Sequence, residues 1–245
     1  MAGMKRRSAL MSAVGVGAAA ASWGATAGTA SASERRARTA RRPLRVHIVA
    51  FDGAEELDVF GPLEVFGAAA SMGHPVEPLL VTSGRPGRFT ASFGTDIAVP
   101  GAWDPSAADV IVVPGGGFRD RDRPGVWSEI KKGVLTRELR RAERPSLTLF
   151  GVCTGVIILH AAGLLDGRPC TTHHRAQDYL KDQGADVRTT RVVDDRNLVC
   201  AGGVSSGIDG SLWLLERELG SQVVSSVEEL MEFERRGTVL RTAGG

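Results

Sequence analysis

Residues 146–165 read S-L-T-L-F-G-V-C-T-G-V-I-I-L-H-A-A-G-L-L. Leu147 to Phe150 is a short apolar run of the kind that forms a buried strand, and Gly151-Val152-Cys153-Thr154-Gly155 is a glycine-flanked turn. Val156 to Leu165 has the length of about three helical turns. Strand, tight turn and helix with Cys153 at the bend is the layout of a nucleophile elbow, in the form G-x-C-x-G. A cysteine just ahead of a helix meets free N–H groups and the positive end of the helix dipole, which favour the thiolate. Cysteine is also among the most buried residue types, so a core thiol at a strand end fits this window equally well. The rest of the chain has to decide.

Outward from the elbow, strand-like runs alternate with helical periods. Leu44 to Phe51 is a strand that ends at the turn Asp52-Gly53. Ala54 to Met72 has helical character interrupted at Gly61-Pro62, which predicts a turn and then a helix with Pro62 in its first turn. Val76 to Thr82 is the next strand, and Arg88 to Val99 reads as an extended hairpin turning at Gly94. Ala108 to Val113 is an uninterrupted apolar strand, as in a parallel sheet buried on both faces, and it runs into Pro114-Gly115-Gly116-Gly117. Gly125 to Arg141 is predicted as one amphipathic helix, and Gln177 to Gln183 as another. Ala185 to Thr190 and Leu198 to Ala201 are short strands. Ile208, Leu212, Leu215 and Leu219 form a core stripe on a helix closed by Gly220, and Ser221 to Met231 repeats the pattern. The alternation predicts an α/β fold with a mostly parallel sheet covered by helices on both faces.

The N-terminus reads differently. Lys5-Arg6-Arg7, a small-residue apolar stretch and Ala30-Ser31-Ala32 have the form of a secretory signal peptide over residues 1–32. The paired Arg6-Arg7 points to the twin-arginine route, hence to export and an extracellular or cell-envelope location. The apolar stretch is too short and too rich in small residues for a good membrane span, so no stable membrane insertion is expected. Residues 33–43 read as a disordered basic linker, 44–232 as one domain and 233–245 as a tail. Eight of the 30 basic residues precede Pro43, against one (Glu34) of the 28 acidic ones. The remainder therefore carries a formal charge of about −5, and nucleic-acid binding is not expected. Three cysteines exclude a disulfide framework. Cys170 and Cys200 are read as buried thiols in preference to a bridge.

In open α/β sheets, ligands bind at the carboxyl ends of the strands. Three such ends carry candidate chemistry: the segment from Asp52 to Asp58, the glycine run with Gly116 and Gly117, and Cys153. The glycine run lacks the G-K-[ST] ending of a phosphate loop. N–H groups of Gly116 and of Thr154 are instead expected to stabilise a developing anion. Asp58, inside the apolar L-D-V-F, is a candidate general acid/base with its pKa raised by burial. His173 and His174, being adjacent, make a poor metal pair, and no metal or other cofactor is expected.

The motifs D-G-A-E-E-L-D-V-F-G-P-L-E-V-F (52–66), D-V-I-V-V-P-G-G-G (109–117), G-V-C-T-G (151–155), A-A-G-L-L-D-G-R (161–168), T-T-H (171–173) and A-G-G-V-S-S-G-I-D (201–209) occur in this order. The sequence thereby resembles the ThiJ/PfpI family of the class I glutamine amidotransferase-like superfamily, with its nearest look to the isonitrile hydratase-like branch. The resemblance implies a flavodoxin-like sandwich, a homodimer and a small-molecule substrate. It gives Cys153 the place of the nucleophile and Asp58 that of its acidic partner. Gly116, Gly117, Thr154, His173 and Asp209 fall around the pocket. Thr154 stands where protease-like members carry histidine. His174 and Gly210 depart from the branch, which usually has an aromatic and a bulky apolar residue there. The implied activity is hydration of an isonitrile to an N-substituted formamide. The alternatives are glyoxalase- or deglycase-like work on reactive carbonyls, and a ligand- or redox-sensing domain.

Overall fold

The computed structural model describes residues 42–84 and 86–242. The expected signal peptide and nearly all of the basic linker lie outside them. In chain order the elements are β1 (Leu44–Val49), α1 (Glu56–Ser71), β2 (Val76–Val81), β3 (Gly87–Thr90), β4 (Asp96–Val99) and β5 (Val110–Val113). Then come α2 (Val126–Lys132), α3 (Val134–Ala142), β6 (Thr148–Val152), α4 (Gly155–Ala161), β7 (Pro169–Cys170) and α5 (Gln177–Asp182). β8 (Asp186–Val187), β9 (Val192–Asp195), β10 (Leu198–Ala201), α6 (Ser206–Leu219), α7 (Ser221–Met231) and β11 (Val239–Arg241) complete the chain.

Seven strands form the main sheet in the order β11-β9-β10-β6-β5-β1-β2. All neighbours run parallel except β9 against β10. The five strands β2-β1-β5-β6-β10 have the flavodoxin-like order, in which the chain reverses direction of travel between β1 and β5. The strands are apolar on both faces because both are covered. Ile48, Ile111, Leu149 and Phe150 are all buried. The crevice at the β1/β5 reversal is therefore where the ends of β1, β5 and β6 meet.

Several sequence expectations are corrected. α1 is continuous, with Pro62 inside it. Proline removes the N–H that would bond the Asp58 carbonyl, yet Gly61 and Pro62 are buried, Gly61 close against Ile208 of α6, and this packing holds the helix. The segment from Gly125 is two helices. Gly133, at φ +67°, closes α2 through its N–H to the Glu129 carbonyl at 3.0 Å. α4 stops at Ala161, shorter than expected, where Arg140 Nε donates to the Ala162 carbonyl at 2.7 Å and Gly163 turns with φ +71°. The strand expected over 185–190 shrinks to β8. The segment read as a tail contributes β11, paired parallel to β9.

Gly210 faces the core. A Cβ there would lie 2.5 Å from Phe150 Cζ, so glycine on α6 and phenylalanine on β6 share one packing volume. Overpacking a filled core costs about 1–3 kcal/mol. Gly210→Ala is thus expected to lower the denaturation midpoint, and Phe150→Leu in the same chain to restore part of the loss. Equal midpoints for wild type and Gly210→Ala would contradict this packing.

Candidate functional site

The elbow is built as a strained turn. Cys153 has φ +57°, in the left-handed region that non-glycine residues rarely enter. Such a conformation costs on the order of 1–3 kcal/mol and persists only when its surroundings hold it. Three contacts do so. The Cys153 N–H donates to the carbonyls of Ala201 (3.0 Å) and Gly202 (2.9 Å), and Thr172 Oγ1 donates to the Cys153 carbonyl at 2.7 Å. Gly155 lets the turn close on β5, since a Cβ there would stand 2.1 Å from the Val113 carbonyl oxygen.

Asp58, from the first turn of α1, is wholly buried beside the thiol. Its Oδ2 accepts the Gly115 N–H at 3.0 Å. Its Oδ1 is buried without a partner in strict hydrogen-bonding geometry. The Cys153 thiol and the Glu55 carboxyl are the side chains within its electrostatic reach. Glu55 caps α1, its Oε2 accepting the Asp58 N–H at 2.9 Å. Burial, then the neighbouring Glu55, raises Asp58 well above the usual carboxylate range. Burial raises Glu55 as well.

Burial and then the charge of Asp58 also raise the Cys153 thiol, opposed by the backbone N–H groups of Val204 and Thr154. The helix-end N–H groups expected to favour a thiolate are opposed in the resting site by burial and by Asp58. α4 is a two-turn helix, and desolvation with an adjacent carboxylate outweighs its N-terminal N–H groups. Asp58 and Cys153 form a coupled pair that favours keeping a proton.

The thiol opens on a cavity of about 770 Å³, lined by Glu55, Gly116, Gly117, Thr154, His173 and Val204 among others. The expected donor pair at Gly116 and Thr154 is also corrected. The Gly116 N–H is taken up by Thr154 Oγ1 at 3.0 Å. The N–H groups that face the sulfur are those of Thr154 and Val204, the latter in a non-glycine residue at φ +30°. The Gly117 N–H has no partner among the described residues. His173 Nδ1 accepts the Arg175 N–H at 3.2 Å, which in a neutral ring puts the proton on Nε2. Burial, then His174 and Arg175, lower the His173 pKa. His174 stacks on His173 with ring centroids 4.3 Å apart, so this departure from the branch touches the cavity wall indirectly.

Asp209 does not line the cavity. It is buried on α6, where its Oδ2 accepts from Arg191 Nε at 2.6 Å and its Oδ1 from the Arg236 N–H at 2.7 Å. It anchors the segment leading to β11. Cys170 and Cys200 are free and buried. Among the described residues no group of three or more His, Cys, Asp or Glu is placed to hold a metal ion, and no helix is long and apolar enough to cross a membrane.

A model of the DJ-1/PfpI family matches residues 44–217. The chain belongs to this family. Relatives within and near it differ in activity. An isonitrile hydratase of Pseudomonas putida is 31% identical over 192 residues, covering 78% of each chain. A deglycase of Thermococcus kodakarensis is 31% identical over 178 residues, covering 71% of this chain and 96% of its own. A ThiJ/PfpI family protein of Pseudomonas syringae has the same fold, with a TM-score of 0.67 at 22% identity, over 79% of this chain and 76% of that one.

Glu55, Thr172 and Val204 escaped the sequence reading. Glu55 stood three residues before Asp58, the spacing of a helix cap. Thr172 and Val204 act through an oxygen and an N–H whose direction no residue type announces.

Removing the Asp58 charge should lower the thiol pKa. Asp58→Asn is therefore predicted to alkylate at Cys153 with iodoacetamide roughly 10-fold faster at neutral pH, one pKa unit being tenfold in thiolate. Because the folded-state pKa of Asp58 is raised, its contribution to stability is full below the unfolded carboxyl pKa. It is lost as pH rises through the folded value. Denaturation midpoints against pH should show that loss in wild type and lack it in Asp58→Asn.

Proposed function

We propose that this DJ-1/PfpI protein is a cysteine-dependent hydratase that converts an isonitrile to an N-substituted formamide. The observation that carries the reading is the buried Asp58–Cys153 pair with Thr154, and not histidine, following the cysteine. The Pseudomonas putida relative supports it.

The chemistry needs a nucleophile and a proton at the same carbon. In R–N≡C the terminal carbon carries both the lone pair and the electrophilic site. Sulfur of Cys153 bonds to that carbon, and the carbon receives the proton that the pair holds, delivered from Asp58. The product of this step is a thioformimidate, R–N=CH–S–Cys. Water then adds across C=N, its oxygen to carbon and a proton to nitrogen. The adduct collapses, the C–S bond breaks, and R–NH–CHO leaves with the proton returned to the pair. Asp58 is buried and Glu55 lines the cavity, so Glu55 links Asp58 to the water that enters. The N–H groups of Thr154 and Val204 hold charge on sulfur as it attacks and leaves.

Purified protein given cyclohexyl isonitrile should release the N-substituted formamide. Cys153→Ser should abolish turnover with an unchanged denaturation midpoint. Absence of formamide under conditions where an isonitrile hydratase is active would refute the assignment. A deglycase-like action on reactive carbonyls is the second reading, favoured by the Thermococcus relative. Turnover of methylglyoxal adducts but not of isonitriles would select it.

Export by the twin-arginine route and assembly as a homodimer belong to the same proposal, on the Arg6-Arg7 signal and the family resemblance. Replacing both arginines by lysine should keep the protein inside the cell. Appearance of the variant outside at the wild-type level would exclude that route.

A further inference from the structure

We infer that the substrate carries a carboxylate in addition to the group that Cys153 attacks. The isonitrile reading supplies only the reacting group; the charge requirement comes from the cavity wall. The cavity, about 770 Å³, lies in the range that takes drug-sized ligands, about 300–1,000 Å³. A small alkyl isonitrile leaves most of it empty.

The wall holds three guanidinium groups, Arg119, Arg123 and Arg175, and three carboxyls, Asp52, Glu55 and Asp120. These do not cancel pairwise. Arg123 faces Asp120 at 3.5 Å. Glu55 is turned to the Asp58 N–H, which its Oε2 accepts at 2.9 Å. Asp52 Oδ1 accepts the Thr90 N–H at 3.0 Å, on the hairpin side of the cavity. Arg119 and Arg175 make no ion pair among the described residues.

These two arginines come from different parts of the fold. Arg119 follows the glycine run after β5, and Arg175 sits in the 3₁₀ turn His174–Ala176. The same wall is apolar at Phe93, Phe118 and Val204. Thiol, apolar side chains and arginines in one cavity match a substrate with a reactive group, a hydrocarbon part and an anionic group. A guanidinium fork matches a planar carboxylate through two parallel N–H···O bonds.

A probe that does not react separates this claim from the hydratase reading. Hexanoate, hexanamide and hexylamine are compared for how well each slows iodoacetamide alkylation of Cys153. Hexanoate is predicted to protect at concentrations at least about 10-fold lower than either of the others, roughly 1.4 kcal/mol. Arg119→Ala combined with Arg175→Ala, both exposed positions, should abolish that preference. Equal protection by all three, or a preference unchanged in the double variant, overturns the inference. The reacting arm compares ω-isocyanohexanoate with its methyl ester. A kcat/KM favouring the acid supports both readings. Preferential protection by hexanoate without turnover of either isonitrile leaves the anion site standing and refutes the hydratase. Equal turnover of acid and ester with no preferential protection does the reverse.

Discussion

The site depends on one buried pair. Asp58 and Cys153 are held against each other with almost no exposed surface, and burial raises both acids. Two ionised groups side by side would repel in a poorly solvated environment, so the site favours a state that retains a proton. Much of the surrounding structure secures that pair. The Gly115 N–H fixes one Asp58 oxygen, and Glu55 caps the helix that presents Asp58. Ala201, Gly202 and Thr172 pin the backbone of Cys153 in a conformation it would otherwise avoid.

The sheet order explains why these groups meet. β1 and β5 are neighbours at the reversal of the winding, and β6 lies beside β5. Helix α1 after β1, the glycine run after β5 and the elbow after β6 therefore converge at one rim. Glycine is needed where the backbones cross closely. A Cβ at Gly115 would stand 2.4 Å from Thr154 Oγ1, and one at Gly116 would stand 2.0 Å from the Gly53 carbonyl oxygen. Close crossing leaves the Gly116 N–H to Thr154, and that assigns Thr154 a positioning part through its side chain beside the one its N–H plays at sulfur.

Much of this was legible in the sequence. The apolar runs of β1, β5, β6 and β10 and the stripe of α6 give the α/β class, and strand ends bearing Asp58, the glycines and Cys153 give the rim. Local signals failed where tertiary contacts decide. Gly133 divides a continuous amphipathic pattern, Arg140 ends the elbow helix early, and packing carries α1 through Pro62. Asp209 sits in a motif that the family places at the pocket. Its buried carboxylate is instead paired with Arg191 and the Arg236 N–H, partners far along the chain that no spacing rule connects. The balance of influences on the thiol was out of reach for the same reason: a helix end is visible in a sequence, but desolvation and the charge of Asp58 are not.

The most direct test is difference infrared spectroscopy of the resting protein. Spectra of wild type minus Cys153→Ser and wild type minus Asp58→Asn isolate the S–H stretch and the protonated-carboxyl C=O stretch of the pair. At neutral pH at least one of these bands should be present, and it should persist as pH rises past the range of an ordinary thiol, about 8.5. Absence of both bands at neutral pH would mean a thiolate beside a carboxylate, and would contradict the account.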